Sequence, residues 1–369
     1  MALMFETLEV VVGIIVVFYI LNDVFQSVVV PRSTPARFRL TRWVVRPGWR
    51  AWRGIALRTN SAGERERMLG IFAPLVVVIL LVLWLTGLVL GFALIFFGLR
   101  HQLHPIVQDF PTAVYFSGTA VLTIGFGDFV ATSGLGRGLA LLAGGTGLGT
   151  IALAISFLFS LYASFQRREI LIVTLDARAG APPSGVNLLE TMAKLGMVDD
   201  LPRLFGEWEK WGAEVLDSHL AYPILAYFRS SHDNESWVSA LGAVLDATTL
   251  VTTTVRGGPH GPAKMMFAMG RHLVEDLARF FRIESDHDPG VERYEFDEAR
   301  ERLAAAGWSL LGPEESWVAF SRLRAQYAVA LNNMAKWWAA PPTQWIGDRS
   351  YVRLTALRHE EPPVRVVSR

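Results

Sequence analysis

Residues 109–134 read DFPTAVYFSGTAVLTIGFGDFVATSG. The stretch is too short and too mixed to cross a bilayer alone, which takes about 20 apolar residues in a helix. Asp109 followed by Pro111 reads as a helix start, the carboxylate capping free amides and the proline fitting the first turn. The pattern predicts a helix of about a dozen residues, ending near Leu122. After it come Thr123, Ile124, Gly125, Phe126, Gly127 and Asp128. Glycines at alternate positions make poor helix and poor strand. They suit a backbone that must turn its carbonyls toward something.

Outward from this stretch the chain is apolar on both sides. Residues 70–98 and 138–165 carry no charge, and residues 8–30 form a third long apolar run. Each is long enough to span a membrane. A cleaved signal peptide fits the first run poorly: Glu6 and Glu9 stand where a basic start belongs, and no small-residue cleavage site follows. The whole chain of 369 residues is 51% hydrophobic and 19% charged, against about 25% charged in soluble proteins. It contains no Cys, which excludes disulfides and Cys-based metal sites.

The charge is unevenly spread. Residues 1–169 hold 14 basic and 8 acidic side chains, and residues 170–369 hold 21 basic and 26 acidic. Ten arginines (32, 37, 39, 42, 46, 50, 53, 58, 65 and 67) crowd residues 31–69, and Arg167 and Arg168 follow the third apolar run. Basic flanks stay in the cytoplasm. The expected topology is therefore multi-pass, with the N-terminus outside and the C-terminal half cytoplasmic. Trp43, Trp49 and Trp52 alternate with Arg42, Arg46, Arg50 and Arg53. This suits a helix in the lipid headgroup layer, with membrane lipid as its partner, broken near Pro47 and Gly48. Nothing in the balance of charge suggests nucleic acid. Asp23 lies inside the first run, where it needs a partner among the following arginines or a neighbouring helix.

Thr123, Ile124, Gly125, Phe126, Gly127 and Asp128 resemble the selectivity filter of the potassium-channel family, T-V-G-Y-G-D in its usual form. Tyr115, Phe116 and Ser117 resemble the aromatic pair and small residue of that family's pore helix. Residues 70–166 then resemble its two-transmembrane pore module. Four departures stand out: Phe126 for Tyr, Ile124 for Val, Leu122 where Thr is frequent, and Thr119 where some members have an acid.

The resemblance implies a homotetramer in a prokaryotic plasma membrane. K⁺ would be the permeant ion, held by the backbone oxygens of Thr123, Ile124, Gly125 and Phe126 and the Thr123 hydroxyl, with Gly127 completing the filter. Asp128, Tyr115 and Phe116 would support the filter and its outer mouth. Gly147, within Gly144-Gly145-Thr146-Gly147-Leu148-Gly149, falls where the family has its hinge; the same glycines equally suit close helix packing. Ile151, Ile155 and Phe159 recur on one helix face as a candidate inner gate. No ladder of arginines marks a voltage sensor. No cofactor is implied.

Beyond residue 170 the pattern is mainly helical, with helices expected at 186–197, 201–229, 235–255, 261–283, 294–308 and 314–340. The segment 251–255 is β-branched and suits extended backbone too. His232, Asp233 and Glu235, and Asp286, His287 and Asp288, offer metal-ligand chemistry but also ordinary loop and capping chemistry. His219 reads as a packed residue. No catalytic constellation is found, and the chain does not read as an enzyme.

The expected fold is an all-α membrane protein. It has an N-terminal transmembrane helix (1–30), a basic interfacial segment (31–69) and a pore module of outer helix, re-entrant pore helix with filter, and inner helix (70–169). A linker (170–185) then leads to a helical regulatory or assembly domain (186–369) for an unknown ligand or protein. A non-selective monovalent cation channel, or a membrane-anchored sensor with a non-conducting pore, fits the same sequence less well.

Overall fold

The computed structural model describes residues 2–30, 40–230, 235–283 and 290–346. Arg32, Arg37, Arg39, His232, Asp233 and the trio Asp286, His287 and Asp288 lie outside the described residues. The protein is all-α. Among the described residues the one sheet is a pair of two-residue strands, β1 (Leu103–His104) and β2 (Val130–Ala131), antiparallel with Leu103 opposite Ala131. Among the described residues three helices are long and apolar enough to cross a membrane: α1 (Ala2–Val24, extended by a π-helical turn Phe25–Val29), α3 (Ala62–Gly98) and α5 (Gly134–Ala179). Between them lie α2 (Leu40–Ala56) and α4 (Phe110–Val121).

The chain forms two compact units, Met1–Trp52 with Ile71–Ala163, and Arg53–Gly70 with Ser164–Arg369. In the first, α1 and α3 run antiparallel and nearly touch. A Cβ on Gly13 would lie 2.6 Å from the Gly91 carbonyl oxygen, and one on Gly91 would lie 2.8 Å from Val17 Cγ2. Such glycine seams bring helix backbones together where lipid offers no hydrophobic drive. Both ends of the seam are fastened by charge. Arg100 after α3 pairs with Glu6 at 2.7 Å and Glu9 at 3.7 Å. Asp23, buried near the other end, accepts hydrogen bonds from Trp84 Nε1 (2.8 Å), the Leu40 amide (3.0 Å) and the Thr41 hydroxyl (3.2 Å). Asp23 thus finds its partners on the neighbouring helix and at the start of α2, which is how a carboxylate is tolerated in an apolar span.

The structure corrects the break expected at Pro47 and Gly48. α2 runs through Pro47 without interruption. Trp49 is buried with its ring edge-on to Phe72 at 5.0 Å, and Trp52 lies 6.4 Å from the same ring, so packing outweighs the amide that Pro47 lacks.

The second unit contains α6 (Gly185–Lys194), α7 (Leu201–Ala221), a 3₁₀ helix (Pro223–Tyr227), α8 (Trp237–Thr253), α9 (His260–Phe281), α10 (Arg293–Ala305), α11 (Pro313–Arg324) and α12 (Ala328–Trp338). α8 is buried along nearly its whole length, and α6, α9, α11 and α12 pack around it. Its interior acid, Asp246, accepts from Arg324 Nε (3.1 Å) and the Tyr327 hydroxyl (2.6 Å), so a paired charge sits at the centre of the unit.

Several sequence expectations shift here. Residues 170–179 are not linker but the end of α5, because Ile172, Leu175 and Ala179 are buried at helical spacing. Gly180, at φ +81°, then ends the helix. The helix expected over 201–229 stops at Ala221, since Pro223 disfavours helical backbone at Tyr222. The one expected over 314–340 is two helices, parted where Arg324 and Tyr327 turn inward to Asp246. Residues 251–253 are helical, and Val255 pairs with Leu310 in an isolated bridge.

Asp23→Ala, which removes the acceptor of three donors, is expected to destabilise the detergent-purified protein by about 2 kcal/mol, and Trp84→Phe by about 1 kcal/mol. Thermal unfolding followed by circular dichroism gives the order, and equal melting of both variants with the parent refutes the pairing.

Candidate functional site

The loop 122–128 is built from the end of α4. Asp109 caps the start of this helix, accepting from the Thr112 amide at 2.8 Å. The body of α4 is fixed to α3. Ser117 donates its hydroxyl to the Val89 carbonyl at 2.7 Å, and Phe116 is buried edge-on to Phe96 at 4.8 Å. At the C-terminal end, amides of the loop fold back on the helix: Ile124 N and Gly125 N both donate to the Thr119 carbonyl, at 2.8 and 3.3 Å, and Thr123 N donates to Ala120 at 3.1 Å. Carbonyls left over at a helix end need such partners.

Beyond this anchor the backbone leaves regular structure. Positive φ recurs at every second residue, +56° at Thr123, +61° at Gly125 and +83° at Gly127. Glycine adopts this without strain, whereas Thr123 costs about 1–2 kcal/mol. Among the described residues, no hydrogen bond ends on a carbonyl of residues 123–127. Their oxygens are available to an external cation.

Tyr115 and Phe116, adjacent in sequence, do different work. Phe116 faces α3. Tyr115 faces the loop: its ring stacks parallel on Phe126 at 6.3 Å and edge-on to Phe129 at 6.4 Å, and its hydroxyl lies on the side of the Asp128 carboxylate. The loop is thus held at its start by Thr119 and at its end by Tyr115. Ile124 and Phe126, between these ties, are exposed in the single chain. The loop's exit is secured by the β1–β2 pair and by the Thr132 amide, which donates to the Gln102 carbonyl at 2.9 Å.

The third wall is α5. A Cβ on Gly147 would lie 1.9 Å from the Val121 carbonyl oxygen. The last residue of α4 therefore seats directly on Gly147, and α5 continues unbroken through it. In this structure Gly147 is a packing position. Ile151 is half-buried, while Ile155 and Phe159 on the same helix face are exposed.

Residues 76–164 match the family model described as "Ion channel". That span takes in most of α3, all of α4, the loop, and α5 as far as Ser164. The chain is also similar to the uncharacterized membrane protein YdjJ of Bacillus subtilis (strain 168), 22% identical over 203 residues, 54% of this chain and 58% of the relative. The chain thus spans less than two-thirds of that relative's length. No solved structure matches.

Sequence reasoning missed a buried site in the second unit. Arg168, read above as a flanking charge, is buried. It donates to Leu225 O (2.9 Å) and Phe228 O (2.8 Å) and pairs with Glu169 at 3.0 Å. His219 sits against it: Nδ1–H donates to the Val215 carbonyl at 2.8 Å, which leaves Nε2 to accept from Arg168 at 3.3 Å. Only the pair Arg167-Arg168 was visible in the sequence, and nothing distinguished one arginine from the other. Among the described residues no group of three His, Asp or Glu gathers as a metal site requires.

Two outcomes follow from this geometry. Gly147→Ala places a methyl on the Val121 carbonyl and is expected to abolish recovery of the folded protein, whereas Gly149→Ala, with open space at its Cβ, leaves it intact; size-exclusion chromatography separates the two. Burial, then the neighbouring Arg168 charge, holds His219 well below its usual value of 6.5. The unfolded chain takes up a proton near that value and the folded one does not, so stability is expected to fall as pH drops below 6.5. His219→Gln should flatten this slope in thermal unfolding measured across about pH 5 to 8.

Proposed function

We propose that this protein is a potassium-selective channel. The observation that carries the reading is the loop 123–127, with positive φ at alternate residues and carbonyls that accept no hydrogen bond among the described residues. One such loop supplies one side of a filter, so four copies surround one axis. The oxygens of Thr123, Ile124, Gly125 and Phe126 replace the hydration shell of K⁺. Irregular backbone is tolerated at membrane depth because it lines a water-filled path. Packing between copies covers Ile124 and Phe126, which are exposed in one chain.

Asp128 adds negative potential at the outer mouth, and the C-terminal end of α4 favours a cation below the filter. Passage is passive and down the electrochemical gradient. Ile151, Ile155 and Phe159 form the inner gate, and Gly147 bends α5 only if its contact with Val121 is released. The protein lies in a prokaryotic plasma membrane, N-terminus out, with α2 in the lipid headgroup layer. The helical unit regulates or assembles the pore in response to a ligand or protein.

The Phe126 ring carries no hydroxyl to tie the middle of the loop to a neighbour, which favours one second reading, a weakly selective cation channel. The test is K⁺ and Na⁺ flux from liposomes holding the full-length protein, with Ba²⁺ as blocker. The expected result is fast K⁺ flux, weak Na⁺ flux, block by Ba²⁺, and a loss of at least about tenfold in Gly125→Ala, where φ is +61°. Equal Na⁺ and K⁺ flux establishes the second reading; no flux with the gate variant Phe159→Ala refutes both.

A further inference from the structure

Within the second unit one short segment, residues 223–229, meets the part of α3 before Ile71 and the part of α5 from Ser164 on, both of which belong to that unit. This is the 3₁₀ helix Pro223–Tyr227 and the two residues that follow it. Its backbone grips α5. The Arg168 guanidinium donates to the carbonyls of Leu225 and Phe228, lies over the Phe165 ring at 5.3 Å, and Phe165 packs 5.5 Å from Phe228. Trp211 Nε1 of α7 donates to the Arg168 carbonyl at 3.0 Å. The side chain of the last residue in the segment grips α3: Arg229 Nη2 lies 3.0 Å from Glu66 Oε1. The same guanidinium donates to the carbonyls of Trp338 (2.9 Å) and Ala339 (2.7 Å) at the end of α12, where Arg53 of α2 also donates to Lys336 O at 2.8 Å.

Seven residues therefore touch the start of α3, the end of α5 and the end of α12 at once. Both grips are made by arginines in largely dry surroundings. A buried guanidinium keeps its partners or loses them together, because one left unpaired is costly. Packed contacts of this kind switch between discrete arrangements and do not deform smoothly. α5 is continuous from Gly134 to Ala179, and Phe159 lies about 14 Å along it from Arg168.

We propose that residues 223–229 are a yoke through which the helical unit sets the opening of the pore, with Arg168 and Arg229 as its positioning residues. The inference rests on the channel reading above. The yoke fixes where the start of α3 stands relative to the end of α5, and α12 is the input that can pull on Arg229. Filter chemistry is untouched by it.

The experiment uses full-length protein in liposomes and compares the parent with Glu66→Gln, Arg229→Gln, their double variant and Arg168→Gln. K⁺ flux is expected to change by about fivefold or more in each single variant, with the K⁺/Na⁺ ratio unchanged. The double variant should go no further than Arg229→Gln, since both lose one ion pair. Parent-like flux in all variants that elute as the parent oligomer overturns the yoke, as does a shifted K⁺/Na⁺ ratio. Hydrogen exchange on the same full-length proteins decides the matter without flux. Arg229→Gln is expected to deprotect residues 62–68 and 164–170 together, and deprotection confined to 62–68 overturns the proposal. A parent and a Phe159→Ala variant that both conduct nothing defeat the channel reading alone, because the exchange result still stands for the yoke.

Discussion

The carbonyl of Val121 occupies the space that any side chain at position 147 would need. This one approach determines where α4 ends relative to α5, and the loop after α4 inherits its position from it. Thr119 takes the amides of Ile124 and Gly125, Tyr115 stacks on Phe126, and α3 receives Ser117 and Phe116. Each tie is made by α4 or to it. A loop that carries free carbonyls gains nothing from its own hydrogen bonds, so its shape has to be imposed by a helix that is itself wedged.

The same economy governs α1. Its seam with α3 is made by glycines, and its two ends are fastened by Glu6 and Glu9 with Arg100 and by Asp23 with Trp84. In lipid there is no hydrophobic gain in bringing two apolar helices together, so close backbone approach and a few polar contacts carry the association. The second unit solves the opposite problem. It buries a helix apolar on almost every side, α8, and buries charge as the pairs Asp246 with Arg324 and Arg168 with Glu169. Three helices, α2, α3 and α5, pass from one unit to the other, and Arg53, Arg168 and Arg229 of the second unit donate to backbone carbonyls.

The readable features were those with a local cause. The three long apolar runs follow from composition, and the short helix between them from Asp109, Pro111 and the alternating glycines of 125 and 127. Helix ends set by long-range contacts were not readable. Pro47 and Gly48 looked like a break, but Phe72, more than twenty residues on, supplies the ring that keeps α2 straight. Residues 170–179 looked like a tether, but their apolar spacing had meaning only once a partner surface existed. Arg324 and Tyr327 split a helix because Asp246 lies across from them.

The sequence by itself determined that this is an all-α membrane protein with a capped helix and a glycine-bearing loop between two spans, because capping, glycine backbone freedom and the length of apolar runs act within a few residues. Tertiary structure decided what the ambiguous residues do: Gly147 as a seat for Val121, Asp23 as an acceptor for Trp84, Tyr115 as the ring that stacks on Phe126, Arg168 as a buried clamp. The role of each rests on which distant backbone or ring it meets. A glycine, an acid or an arginine carries the same chemistry wherever it stands, and only the fold supplies its partner.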